Sequence, residues 1–398
     1  MTAAWTSRPL SRSFLAYWSA LSAGALGDAA VSVAVPFLAL AVGGGAASVG
    51  AVVLAGSLPR FLGPLYGLLA DRHSPRLLLT LCSVVRGLGI TLVGLLAFHL
   101  HVPLFALCLL AFLNGALATL TFTTGAALLP QLVPEHDLPR ANSLLSAALM
   151  GAPLIGYGVG GGLVKLLGSG GTLLLAVPFI LALAAATPLL PLRRNHPGQP
   201  GRRQGALQDI LTGLRLCLSH PVLRAVMLLS GLMNLALNVV NVRAPLAMTA
   251  LGRGAPDYAV FEMLVALGAL AGIAMVTPLS RRLGTDALIN LGRLLVVPGL
   301  TLLAAAHLQG WWVGGAVLGL SLGLLEVAGM TRLQRTIPEE VRGRALGALL
   351  TSNAAGLSLG AALAGLNVPS TWLMPGLAVT LLLLGFVWPL AVRSSLRE

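Results

Sequence analysis

The amino-acid sequence predicts an all-α, polytopic membrane protein with twelve transmembrane helices in two pseudo-symmetric halves of six. Three observations lead there. The first is composition. Of 398 residues, 57% are hydrophobic and only 9% are charged, with a mean hydropathy of +0.90. A soluble domain carries about 25% charged residues, so this chain has too few to dress a water-exposed surface. The second is that its apolar residues come in continuous runs, each long enough for a helix of about 20 residues to span a bilayer. They do not alternate as the strands of a β-barrel would. The third is an internal repeat between the two halves.

Twelve apolar segments follow in order: 13–41, 48–70, 76–98, 103–129, 142–166, 172–191, 222–250, 257–280, 286–307, 311–333, 343–367 and 371–392. They are spans 1 to 12 below. Span 1 follows the polar start MTAAWTSRPLSRSF. It is too long for a signal-peptide core and carries Asp28, so an uncleaved first helix is expected. Most of the turns that follow are cued by Pro, Gly or charge. The longest polar stretch, LRRNHPGQPGRRQGALQDILTGLRLCLSHP (192–221), divides the spans six and six. The expected organisation is therefore a half at 1–191, a cytoplasmic linker at 192–221 and a half at 222–398. Within the linker, Ala206 to Leu218 has helical apolar spacing and is expected to lie along the membrane surface.

The repeat is read without a gap. LVPEHDLPRANSLL (132–145) aligns with TIPEEVRGRALGAL (336–349), pairing Pro134 with Pro338, Glu135 with Glu339, Arg140 with Arg344 and Ala141 with Ala345. The same offset pairs Gly156 with Gly360. Two parallel six-helix halves imply a two-fold pseudo-axis along the membrane normal, with a binding site between them near the midplane.

Charge placement sets orientation. The net charge is +13, which invites a nucleic-acid reading, but the basic residues sit mostly at the ends of apolar runs. With a cytoplasmic N-terminus, 19 of the 25 basic residues fall on the cytoplasmic side, only Lys165 and Arg253 fall opposite, and Arg60, Arg86, Arg243 and Arg293 lie within spans. That asymmetry places both termini in the cytoplasm and the chain in the cytoplasmic (inner) membrane, with lipid rather than nucleic acid as its surroundings. Cys82, Cys108 and Cys217 form no CxxC or Cys/His cluster, so neither disulfides, nor a metal, nor a cofactor is expected. His99, His101 and His307 lie at the outer ends of spans, and no Ser/His, paired-Asp or HExxH group falls within one. An intramembrane enzyme is therefore not expected. Without a P-loop, primary pumping by this chain alone is excluded.

Between spans 2 and 3 stands GLLADRHSPRLLL (67–79). Gly67 permits close helix contact, Asp71 can cap a neighbouring helix N-terminus or pair with Arg, and Arg72 and Arg76 hold the loop inside. This segment resembles the signature of the major facilitator superfamily, through Gly67, Leu69, Ala70, Asp71, Arg72, Arg76 and Leu79. Ser74 replaces its second Gly and Pro75 a basic residue. The second-half copy, TPLSRRLGTDALI, keeps Arg281, Arg282 and Gly284 but loses the acidic residue. In span 5, APLIGYGVGGG (152–162) resembles the antiporter motif through Gly156, Gly160 and Gly161, with Tyr157 where that motif has Pro. Gly27-Asp28 followed by Pro36 in span 1, and LLPQLVPEHDLPRANSLL after span 4, resemble the macrolide-efflux and siderophore-exporter branch. The resemblance implies a secondary transporter. It also implies that the Gly67, Asp71, Arg72, Arg76 loop is a conformational latch and that spans 1, 4, 7 and 10 line a central cavity. Small-residue packing is the other reading of the span 5 glycines, through Ala152–Gly156–Gly160 and, in span 11, Gly356–Gly360–Ala364.

Charges inside a membrane cost about 2.5–3.5 kcal/mol at its centre, so each should face a cavity or a partner. Asp28 shares a face with Gly24 and Ser32 and is the first candidate for proton coupling, with Glu326 in span 10 and Glu262 in span 8 after it. Arg243 in span 7 is the expected counter-ion of Asp28 and Glu262. Arg86 and Arg293, at matching places in spans 3 and 9, are read as structural pairs or snorkelling residues. Asn234, Asn238 and Asn241 share one face of span 7, and Asn114, Thr121 and Thr124 form a polar stripe on span 4. With Arg243 these are the cavity candidates. A mostly neutral, apolar cavity suits amphipathic compounds. The expected activity is proton-coupled export of a drug, macrolide or siderophore-like molecule by a monomer; proton-coupled import of a small metabolite is the alternative.

Overall fold

The computed structural model describes residues 10–99, 102–190, 212, 214–215, 217–305, 307–337, 339–366 and 368–395. Regular structure among them is helical throughout. Span 1 is Arg12–Ala41, capped by the Ser11 side chain, which accepts from the Phe14 amide at 3.1 Å. Spans 3 and 4 are Pro75–His99 and Leu104–Leu132. Spans 5 and 6 are joined in one run, Leu138–Ala186, that breaks at Gly168. There φ is 70°, a left-handed value that only a residue without Cβ adopts freely, so the chain reverses without a loop. Spans 7 to 12 are Pro221–Ala250, Ala255–Leu283, Thr285–Leu303, Leu308–Thr336, Glu339–Gly365 and Ser370–Ser395. Each overlaps its expected segment closely.

Span 2 is the exception, because it is not one helix. Gly45–Ser57 passes into a 3-10 turn, Leu58–Leu62, before Gly63–Arg72 resumes. Pro59 and Pro64 lack the amide hydrogens that an unbroken helix needs, and the Tyr66 hydroxyl donates to the Pro59 carbonyl at 3.0 Å. Most of the expected linker lies outside the described residues. At its end Cys217 is fully buried against Val222, Leu223, Ala345 and Ala348, so this point is packed beneath the second half.

Lipid-facing and protein-facing sides separate cleanly on span 3. Leu77, Leu81, Val84, Leu88, Leu92 and Leu95 are exposed at helical spacing, while Leu79, Cys82, Ser83, Arg86, Ile90 and Val93 are buried. The exposed stripe meets acyl chains and the buried one meets spans 1, 4 and 6.

Glycines set the closest helix approaches. In the first half Gly156 and Gly160 of span 5 rest on Leu26, Ala29 and Ala30 of span 1; in the second, Gly356 and Gly360 of span 11 rest on Gly231 and Leu235 of span 7. These are the same helix pair in each half. Small residues let the backbones meet where lipid offers no hydrophobic drive to associate.

Contacts between the halves are uneven along the membrane normal. Call near the side where span 1 begins and span 12 ends, and far the opposite side. Gly161 of span 5 abuts Ala255, Pro256 and Ala259 of span 8, and Gly50 of span 2 abuts Ala361 and Gly365 of span 11. All lie towards the far side. Towards the near side a Cβ at Gly63, Gly67, Gly151, Gly329 or Gly347 would meet nothing within 4 Å. The halves are sealed at the far end and parted at the near end. Gly67, expected to allow close helix contact, faces open space in this arrangement.

Adding side chain at a glycine contact should therefore be costly only where a backbone stands in the way. Gly360→Leu, which drives carbon into the Leu235 backbone, is expected to cost on the order of 1–3 kcal/mol by overpacking. Gly376→Ala in span 12, with open space around it, should be neutral. Thermal melts in detergent should show a drop of several degrees for the first and none for the second; equal melting would contradict the packing described.

Candidate functional site

Between the halves lies a cavity of about 590 Å³. Span 1 contributes Asp28 and Ser32, span 2 Ser57 and Arg60, span 4 Asn114 and Thr119, and span 5 Tyr157. Span 7 contributes Asn234, Asn238 and Asn241, and span 8 Tyr258 and Glu262. Val31, Val35, Val49, Val52, Val53 and Leu110 supply apolar wall. The lining is apolar in its walls and polar at a few points, as small-molecule sites are.

The strongest feature is a charged network across three helices. The Arg86 guanidinium of span 3 donates through Nη2 to the Asp28 carboxylate of span 1 and through Nε to Asn114 Oδ1 of span 4, the latter at 2.8 Å. Arg86 is 8% exposed and Asp28 38%. The cation is thus sunk in protein while the carboxylate keeps one side to the cavity. An unpaired Arg at this depth would be costly; the pair and the Asn carbonyl together satisfy it. Arg86 reaches Asp28 because it belongs to the buried stripe of span 3. That stripe is written in the sequence, since the leucines of LLLTLCSVVRGLGITLVGLL recur on the face opposite Cys82, Ser83 and Arg86.

Arg243 does not take the expected part. Its Nη2 donates to the Leu366 carbonyl at 2.6 Å, tying span 7 to the end of span 11, and it is not among the lining residues. The counter-ion of Asp28 is Arg86 instead. Arg293, the counterpart of Arg86 in the second half, meets the Leu382 carbonyl at 3.2 Å and Asn290 at 3.4 Å. The two halves therefore share an intramembrane Arg at matching places, and among the described residues only the first half supplies it with an acid.

The Asn face of span 7 does reach the cavity, and it also holds helices together. Asn238 is 4% exposed. Its amide donates to Ser57 Oγ at 3.0 Å, across the halves, and to the Leu357 carbonyl at 2.6 Å. Asn241 donates to Asn238 Oδ1 at 3.3 Å and Asn234 to the Ser230 carbonyl at 2.9 Å. At the far end of the cavity, the Tyr258 hydroxyl is in hydrogen-bonding reach of the Glu262 carboxylate, with Tyr157 and Ser32 beside them. Tyr157, where the sequence departs from the antiporter motif, is thus the residue of that segment that faces the cavity.

Three candidates lie elsewhere. Thr121 donates to the Leu117 carbonyl at 2.8 Å and stands beside Cys82 of span 3. Thr124 is fully buried. Both lie on the part of span 4 that packs on protein below the cavity. Glu326 is exposed on span 10 and outside the lining. In the loop at the near side, Asp71 and Arg72 are exposed, while Arg76 donates to the Pro188 carbonyl at 3.1 Å and Thr80 shares a 2.8 Å hydrogen bond with Thr187. That loop is pinned to the end of span 6, within its own half. Residue patterns missed Arg60, Ser57, Tyr157 and Tyr258 as lining; of these the Pro59–Pro64 break was the visible cue for Arg60.

With this architecture in view, its relatives can be placed. The chain is 30% identical over 310 residues to the enterobactin exporter EntS of Shigella boydii serotype 18, covering 75% of this chain and 71% of that protein. It is 27% identical over 310 residues to the uncharacterized MFS-type transporter y4rN of Sinorhizobium fredii, covering 77% and 76%. Among solved structures, the nucleoside transporter NupG superposes with a TM-score of 0.78 at 13% identity, over 96% of this chain and 99% of that one. A bacterial homologue of the iron transporter ferroportin, in an inward-facing state, superposes with a TM-score of 0.73 at 20% identity, over 96% and 99%. The sequence profile of the Major Facilitator Superfamily matches residues 17–361. A helical chain with this layout, this cavity and that match belongs to the major facilitator superfamily, as a multi-pass membrane transporter of a small molecule rather than an enzyme.

Proposed function

We propose that the protein exports a small amphipathic, siderophore-like or drug-like compound across the cytoplasmic membrane, driven by inward movement of protons. The observation that carries this is the Asp28–Arg86–Asn114 network on the wall of a cavity that is sealed on the far side. The near side is the cytoplasmic one by the arginine asymmetry. The likeness to EntS, named an enterobactin exporter, supports the direction. The halves 1–191 and 222–398 rock about the cavity, joined through 192–221, and the lone chain suffices as a monomer.

Asp28 is placed to couple the two processes. With the near side open, its carboxylate is held by Arg86. When the far side opens, a proton on Asp28 weakens its grip on Arg86 and biases the return. One charge crossing 100 mV carries about 2.3 kcal/mol, roughly fifty-fold in concentration.

Two outcomes follow. Asp28→Asn, which keeps the acceptor for Arg86 but not the charge, should abolish uphill export in reconstituted vesicles while substrate exchange continues. The Asp28→Asn/Arg86→Gln double variant should recover expression without recovering uphill export. Uphill export by either would make the pair structural. In the second, Ala47→Cys with Gly365→Cys, whose positions approach within 4 Å at the far seal, should form a disulfide in a background lacking the native cysteines. Oxidation should stop transport and reduction restore it; full crosslinking with transport unchanged would contradict alternating access.

A further inference from the structure

We infer that Arg60 is an anion-recognition point, and that the compound carried is an amphipathic organic anion whose acidic group (carboxylate, phenolate or sulfonate) docks there. The inference rests on the transport reading above and narrows its substrate class.

Arg60 lines the cavity and is exposed. Among the described residues no hydrogen bond or ion pair engages its guanidinium. The other intramembrane arginines are all held: Arg86 by Asp28 and Asn114, Arg243 by Leu366, Arg293 by Leu382 and Asn290. A guanidinium kept uncompensated at this depth costs free energy that a bound anion would return.

The backbone at Arg60 is also unusual. It sits in the 3-10 turn Leu58–Leu62, at the point where span 2 breaks. Transporters place broken helices at their binding sites, and a 3-10 stretch within a helix often marks a functional hinge.

Finally, charge is graded along the cavity. Glu262 lies about 10 Å from the far end of span 8 and Arg60 about 22 Å from the far end of span 2, counted at 1.5 Å per residue. Asp28, between them in depth, is neutralised by Arg86. The deep end therefore offers a carboxylate and two tyrosine hydroxyls, and the end towards the opening offers an unpaired cation. A molecule with hydroxyl donors on one end and an acidic group on the other fits that gradient. A cationic amphiphile would set its charge against Arg60 on entry.

The test needs no known substrate. In full-length protein in nanodiscs, with Cys82, Cys108 and Cys217 replaced by Ser, a cysteine is introduced by Asn234→Cys on the cavity wall. Its modification rate is measured with a sulfonate thiosulfonate reagent (anionic) and a trimethylammonium one (cationic) of similar size. The anionic reagent should be favoured. Arg60→Gln should lower the anion-to-cation rate ratio by at least about fivefold, the scale of one nearby charge, and Arg60→Lys should keep most of it. A ratio changed less than about twofold by Arg60→Gln, or a cation preference with Arg60 present, would overturn the inference. Anion preference in a protein that exports nothing would sink the export reading alone, and export without that preference would sink this one alone.

Discussion

A charge inside a lipid bilayer must be paired, wetted or neutralised, and this molecule is organised around one pair that meets the condition in two ways at once. Arg86 is enclosed in protein and Asp28 borders the cavity. Their contact joins span 1 to span 3, and Asn114 adds span 4. Three helices of the first half are thereby fixed in rotation about their own axes. The rotation decides which residues of span 1 look into the centre, Asp28 and Ser32 among them, and which pack on span 5 through Gly156 and Gly160. The second half keeps an Arg at the matching place, half-buried, and among the described residues it meets carbonyl and amide acceptors. A pseudo-symmetric frame thus carries a chemically asymmetric site.

The same frame explains why the seal lies where it does. Glycine and alanine backbones meet across the halves at the far side, where Gly161 and Gly50 leave no room for a Cβ. Dispersion between such surfaces is short-ranged, so the seal can open by a small rotation without breaking many strong bonds. Asn238 with Ser57 is a polar contact between halves at mid-depth. On the near side the Arg76 loop is tied within its own half to Pro188, and Asp71 and Arg72 are exposed there.

Much of this was legible in the sequence, and the part that was not has a common cause. Continuous apolar runs fix the spans, and the repeated Pro-Glu loop fixes the relation of the halves, because both depend only on order along the chain. Asp28, Glu262, Asn114, Asn234, Asn238 and Asn241 were found because a polar residue in an apolar run is informative by itself. Partner choice was not. Arg243 and Arg86 are equally basic and both intramembrane, and which one meets Asp28 depends on how spans 1, 3 and 7 are rotated and stacked, not on spacing within any of them. Thr121 and Thr124 continue the stripe begun by Asn114, yet they fall below the cavity where span 4 packs on protein. Glu326 continues the face of Gly315, Gly319 and Gly323 that packs on span 8, yet at its own level the side chain is exposed and outside the lining, which spacing along span 10 does not reveal. Besides the Pro59–Pro64 break, the periodicity of span 3 held an overlooked cue, a leucine stripe opposite Arg86.

The central claim is that protonation of Asp28 sets the balance between the two arrangements of the halves. Pulsed electron-electron double resonance tests it most directly. One pair of spin labels would bridge the far seal and another the near opening, with distances measured in nanodiscs for the native protein and for Asp28→Asn, the mimic of the protonated carboxylate. In Asp28→Asn the near pair should lengthen and the far pair shorten relative to the native protein. Distributions unchanged by Asp28→Asn, or both pairs moving in the same sense, would contradict the account.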